Sequence, residues 1–106
     1  MHIEVATFPK VKPNKKQAKK ILEEAAEVFG AWQAYDEAKQ YAKGAADNGR
    51  LTGVEDWLVY TTRELLVDEC ADLITATCNL LHALGVDDAT EAMEACKERN
   101  ADRGRL

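Results

Sequence analysis

The stretch Lys20-Ile21-Leu22-Glu23-Glu24-Ala25-Ala26-Glu27-Val28-Phe29-Gly30-Ala31-Trp32 decides the fold class. Its apolar residues Ile21, Leu22, Ala25, Val28, Phe29 and Trp32, continued by Tyr35, recur at intervals of three and four, the period of a helix with one apolar face. Good helix formers fill the flanks from Lys15 to Lys43, so one long amphipathic helix is expected there. Asn14 stands at its start with Gln17 three residues on, the spacing of a capping box. Pro9 and Pro13 keep the preceding residues out of a helix interior, which makes residues 1–13 an extended N-terminal arm, with Ile3–Phe8 open to a brief strand. Gly30 is the one soft spot, at a cost of about 1 kcal/mol relative to alanine. Either a backbone or ligand passes close to it, or it is tolerated without a role.

Downstream, Gly44–Gly53 is dense in turn residues and has no periodicity, so a loop is expected. Thr52 and Glu55 repeat the capping-box spacing and open a second helix that runs to Leu84, where Gly85 supplies a left-handed cap. Asp87 or Asp88 caps a third helix from about Ala89 to Ala101. The fold class is therefore all-α, a single domain over residues 1–106. The first helix would span roughly 43 Å, more than the roughly 33 Å width of a compact chain of this length. Long antiparallel helices of this kind form a bundle completed by oligomerisation, so a homodimer or homotetramer is expected.

Composition removes several classes. Hydrophobic residues make up 46% and charged residues 31% of the 106, with two prolines and six glycines, which fits neither a disordered chain nor a disulfide scaffold. The longest uncharged run, Leu73–Val86, is broken by Thr75, Thr77, Asn79 and His82, so no membrane span or membrane partner is expected. No basic segment leads into an apolar one after Met1, and a cytoplasmic location is the expectation. Cys70, Cys78 and Cys96 form no CxxC pair and read as core thiols, and neither His2 nor His82 has a histidine partner at helical spacing. Net charge is −5, unevenly spread: residues 1–20 carry +5, residues 21–96 carry −12 and residues 97–106 carry +2. The acidic middle repels a nucleic-acid backbone and suits a divalent cation, provided its acids converge.

Convergence is what the carboxylate spacing suggests. On the second helix Glu69 falls inside the face formed by Leu66, Leu73 and Leu80, with Asp72 at its edge and Asn79 beside Asp72. An ionised acid in an apolar seam costs several kcal/mol, in order of magnitude, unless a cation or strong donors meet it. Arg63 or Lys39 is one possible partner and a metal ion is the other. On the first helix, Glu24 and Glu27 flank the apolar stripe at i and i+3, a spacing that taken alone belongs more often to a solvated face than to a site. If the helices pack side by side, Glu24, Glu27, Glu69 and Asp72 face one another, and hard oxygen donors of that kind suit Mg2+ best, with Mn2+ as a substitute.

Taken together, Lys20–Val28, Glu69-Cys70-Ala71-Asp72 and Lys97-Glu98-Arg99-Asn100-Ala101-Asp102-Arg103-Gly104 resemble the MazG-like all-α nucleoside triphosphate pyrophosphohydrolases, from about residue 14 to 106. The family pattern is ExxE, then ExxD, then a Lys-x-x-Asn-x-x-Arg-Gly-like element. The resemblance implies a Mg2+-dependent enzyme that hydrolyses an NTP or dNTP to the monophosphate and pyrophosphate. Glu24, Glu27, Glu69 and Asp72 would hold the metal, and Glu24 or Glu27 would take the proton from the attacking water. It also implies substrate contacts from Lys97, Asn100 and Arg103. Without the family, Lys97 and Arg103 read as charges that favour a helix C-terminus.

Trp32 and Tyr35 could stack on a base, although aromatics in such a stripe are more often core; Asn79 is the better candidate for a base or sugar contact, with helix packing equally open. His82 reads as structural. Forty-one residues lie between Glu27 and Glu69, longer than the family interval, and the excess falls in the extended first helix and its loop. That insertion would cover the nucleotide or alter the oligomer. The alternatives are a catalytically silent helical nucleotide-binding or oligomerisation module, and an enzyme of the related phosphoribosyl-ATP pyrophosphohydrolase type.

Overall fold

In the computed structural model, which describes residues 1–106, the chain forms α1 (Lys15–Asp47), α2 (Val54–Ala83) and α3 (Thr90–Asp102), with no strand. The arm before α1 forms neither helix nor strand and turns at Pro9–Lys10. Asn14 caps α1 as its spacing suggests, its side-chain oxygen accepting from Gln17 N at 3.0 Å. The reciprocal half of the box is absent, because the Gln17 side chain reaches across to α2 and donates to Ala76 O at 3.0 Å.

The loop is shorter than expected. Gly44–Asp47 continue the helix, and the turn begins at Asn48. Gly49, at φ +66, closes α1, with its N–H on Ala46 O and Arg50 N–H on Ala45 O. The two alanines carry the helix past Gly44, and the left-handed residue that ends it is Gly49. At the other side, Gly53 and not Thr52 occupies the N-cap of α2. Glu55 still folds back, accepting from Thr52 N and Gly53 N, both at 3.0 Å. Gly85 ends α2 in the left-handed conformation, as expected.

α1 and α2 pack along their lengths as an antiparallel hairpin. The seam residues of α1, Gln17, Ile21, Glu24, Val28, Ala31, Tyr35, Ala38, Ala42 and Ala45, are all buried or half-buried and alternate in steps of four and three. That is the seam pattern of a coiled coil, which the small alanines let close tightly. The apolar stripe is wider than this seam. Ile21, Val28 and Tyr35 meet α2, while Leu22, Phe29 and Trp32 stand exposed on the neighbouring face. No Cα of α3 lies within 8 Å of either long helix. Only Ala31, Ala38 and Ala76 form a buried apolar core.

Candidate active site

The hairpin brings acids from both helices together. One carboxylate oxygen each from Glu24, Glu69 and Asp72 falls within 4.8 Å of the others. Glu24 sits in the seam and is only 7% exposed, whereas Asp72 stands at the solvent edge. Lys20, one turn before Glu24 on α1, donates to its Oε1 at 2.9 Å, and that hydrogen bond and charge hold the Glu24 carboxyl below the usual glutamate range. Glu27 lies beside the group without being one of the three. Its pKa is raised, first by the Glu24 carboxylate and then by Glu69.

Two oxygens are left over. Glu24 Oε2 and Glu69 Oε2 are buried and have no hydrogen-bond partner. The protein cations that the sequence offered to Glu69 are engaged elsewhere: Arg63 pairs with Glu64 at 2.9 Å, and Lys39 lies over the Tyr35 ring at 5.1 Å. Burying an unpartnered carboxylate oxygen is costly, and a hard divalent cation answers such a site with the bonds it lacks. The donor set therefore fits a hard divalent cation, and Glu24, Glu69 and Asp72 are the residues that could hold one.

The other site residues read from the sequence are placed differently. Lys97, Asn100 and Arg103 lie on or just after α3, whose backbone packs against neither long helix, so one protomer does not bring them to the acids. Asn100 instead donates to Cys96 Sγ at 3.6 Å and accepts from Arg105 at 3.2 Å. Asn79 is 3% exposed, and its Oδ1 accepts from Phe8 N at 2.8 Å, tying the arm to α2. Trp32 is 44% exposed and tilts against Tyr35 with ring centroids 5.9 Å apart.

The loop at residues 48–53 joins the far ends of the two helices, some twenty residues of α1 beyond Glu27 and roughly 30 Å along the axis. Within one chain it does not cover the acids, contrary to one of the two expectations for the insertion. Nor does anything approach Gly30, where a Cβ would meet no atom within 4 Å. The sequence reading missed the grip of Lys20 on Glu24, although the i, i+4 spacing was there to be read.

A family model of phosphoribosyl-ATP pyrophosphohydrolase matches residues 4–100, from the arm through most of α3. The chain belongs to the phosphoribosyl-ATP pyrophosphohydrolase family. No curated protein and no solved structure matches it significantly. Membership of the phosphoribosyl-ATP pyrophosphohydrolase family makes the chain one of a class of hydrolases that act on pyrophosphate bonds, a class typically dependent on a divalent metal. The match narrows the MazG-like resemblance to a branch within that superfamily. No helix of the chain is long and apolar enough to cross a membrane.

Proposed function

We propose that this chain is a divalent-metal-dependent pyrophosphohydrolase that cuts the α–β phosphoanhydride of a nucleoside triphosphate substrate and releases pyrophosphate. The observation that carries this reading is the pair of buried, partnerless oxygens, Glu24 Oε2 and Glu69 Oε2, on two of the three acids that converge with Asp72. Family membership makes phosphoribosyl-ATP the first substrate to test. Unmodified NTPs and dNTPs come next, on the strength of the ExxE and ExxD elements.

Glu24, Glu69 and Asp72 would hold the ion, Mg2+ in preference to Mn2+. Bound there, it supplies positive charge against the phosphates and acidifies water. Glu27, outside the three-acid group, accepts the proton of the water that attacks the α-phosphorus. The bond from water oxygen to phosphorus forms, the α–β anhydride bond breaks, and pyrophosphate departs with the electron pair. The neighbouring carboxylates that raise the proton affinity of Glu27 suit it to this work. Glu24, held ionised by Lys20, stays a ligand.

The working form in this reading is a homodimer or homotetramer. In such an assembly α3 of a second copy is the route by which Lys97, Asn100 and Arg103 reach the phosphates, and Trp32 offers a ring to the base. Asn79 keeps only its amide nitrogen for a ligand, since its oxygen holds the arm.

The test is to incubate the protein and Mg2+ with phosphoribosyl-ATP and a panel of NTPs and dNTPs. Pyrophosphate should appear with at least one substrate, and Glu69→Gln should lower its rate by about a hundredfold or more. Binding without turnover by the unmodified chain would favour a catalytically silent nucleotide-binding module. Release of orthophosphate would mean that a different bond is cut.

A further inference from the structure

The site just described shares a wall with a basic cleft. Lys10 and Lys12 of the arm and Lys16, Lys19 and Lys20 of the first turns of α1 line one open cavity of about 990 Å3. Glu23, Glu24 and Asp72 line the same cavity, so it runs up to the acid cluster, and its lysines outnumber its acids. Its size lies at the upper end of the roughly 300–1,000 Å3 typical of ligand pockets.

Of the five lysines, only Lys20 has a carboxylate within 4 Å, that of Glu24; the ion pairs elsewhere in the chain involve Lys43, Arg63 and His82. Four ammonium groups without partners, gathered at one cleft of a chain whose net charge is −5, concentrate a positive field where the rest of the surface is acidic. The arm that carries two of them is fixed on both sides. Phe8 N is held by Asn79 Oδ1 at 2.8 Å, and Asn14 is built into the cap of α1, with its own N–H on Lys12 O at 2.9 Å. Lysine ammonium groups are compact charges with three rotatable donors each, suited to a polyphosphate whose oxygens point in several directions.

We infer that the arm is a polyphosphate clamp: Lys10 and Lys12, with Lys16 and Lys19, bind the β- and γ-phosphates of the substrate and then the departing pyrophosphate. This rests on the function proposed above and adds phosphate contacts at the opposite end of the chain from α3. It also explains why Asn79, deep in the hairpin, faces the arm: the side chain sets the position of the clamp relative to Glu24 and Asp72.

The experiment compares Lys10→Ala/Lys12→Ala and Lys10→Glu/Lys12→Glu with the unmodified chain, using Lys43→Ala, far along α1, as a control. Both arm lysines are exposed, so circular dichroism should report unchanged helix content. Calorimetric titration with inorganic pyrophosphate in Mg2+ should show Kd raised about tenfold in the alanine pair and further in the charge reversal, with Lys43→Ala unaffected. With a turned-over substrate, KM should rise in step while kcat stays within about threefold.

Pyrophosphate affinity that is unchanged in both arm variants, or absent from the unmodified chain, overturns the clamp. Affinity lost with KM unchanged overturns the assignment to substrate, because the cleft would then serve a free anion. Failure of every substrate to turn over would sink the proposed function alone, and the pyrophosphate titration would still decide the clamp.

Discussion

Glu69 is the residue on which the site turns. An acid on a leucine face invites the question of what meets it, and the sequence leaves two answers open because the reach of Arg63 and Lys39 depends on rotamers that periodicity does not encode. The structure closes that choice by giving Arg63 to Glu64 and Lys39 to Tyr35. Asn79 shows the opposite limit. Its place beside Asp72 was readable from helical geometry, but its partner, a backbone N–H seventy-one residues away, was not. Glu27 yields a pH prediction at this scale. Its raised pKa means that, without metal, protonation favours the folded state. That contribution is fully present below the ordinary glutamate value of 4.5 and is lost as the pH rises through the raised value. Thermal melts of metal-free protein across this range should show the loss. Glu27→Gln should flatten it, and Mg2+ should restore stability above it, while Mg2+ binding below the raised value should release protons into a weak buffer.

At the scale of the element, helices are legible where local chemistry decides and blurred where a neighbour does. Asn14 and Gly85 cap as their residue types require. The α1 terminus moved four residues because the glycine that ends it is Gly49, and nothing local distinguishes that residue from Gly44. Glu55 illustrates how a cap survives a changed boundary: with Gly53 at the N-cap, the carboxylate still collects the backbone N–H groups of Thr52 and Gly53, and these hydrogen bonds lower its pKa. Stability from a depressed carboxyl is present above the ordinary 4.5 and is lost as the pH falls through the depressed value. Glu55→Gln should therefore melt lower than the parent at neutral pH, and the two curves should converge in acid. Gly30 offers a second test. With nothing within 4 Å of its Cβ position, Gly30→Ala should raise stability by about 0.5–1 kcal/mol in urea denaturation. A fall in stability would place another chain against that face.

Across the whole molecule, the surface is too large for the mass. A compact protein of 11.8 kDa exposes about 5,900 Å2, and this chain exposes 8343 Å2. Its radius of gyration is 18.3 Å, against about 13 Å for a globule of this length. Three buried alanines cannot hold 106 residues, and the exposed Leu22, Phe29 and Trp32 of α1 have their counterparts in Trp57, Leu65 and Ile74 of α2. Sedimentation equilibrium should give a mass of two or four chains, with a melting temperature that rises with protein concentration. A concentration-independent monomer would leave the apolar faces unexplained. This is the part of the fold that the sequence conveyed only as a helix too long for a compact chain, since periodicity does not encode what covers each apolar face.

The four-three alternation of the seam also governs how this protein tolerates changes of length. Beyond the carboxylates the two rods form an extension ladder, and matched seven-residue rungs removed from both sides would shorten the distal end by roughly 10 Å while leaving the cage oriented. Cutting a single residue from one rod would swing its acids about 100° around the axis and dismantle the cage without touching any of its members.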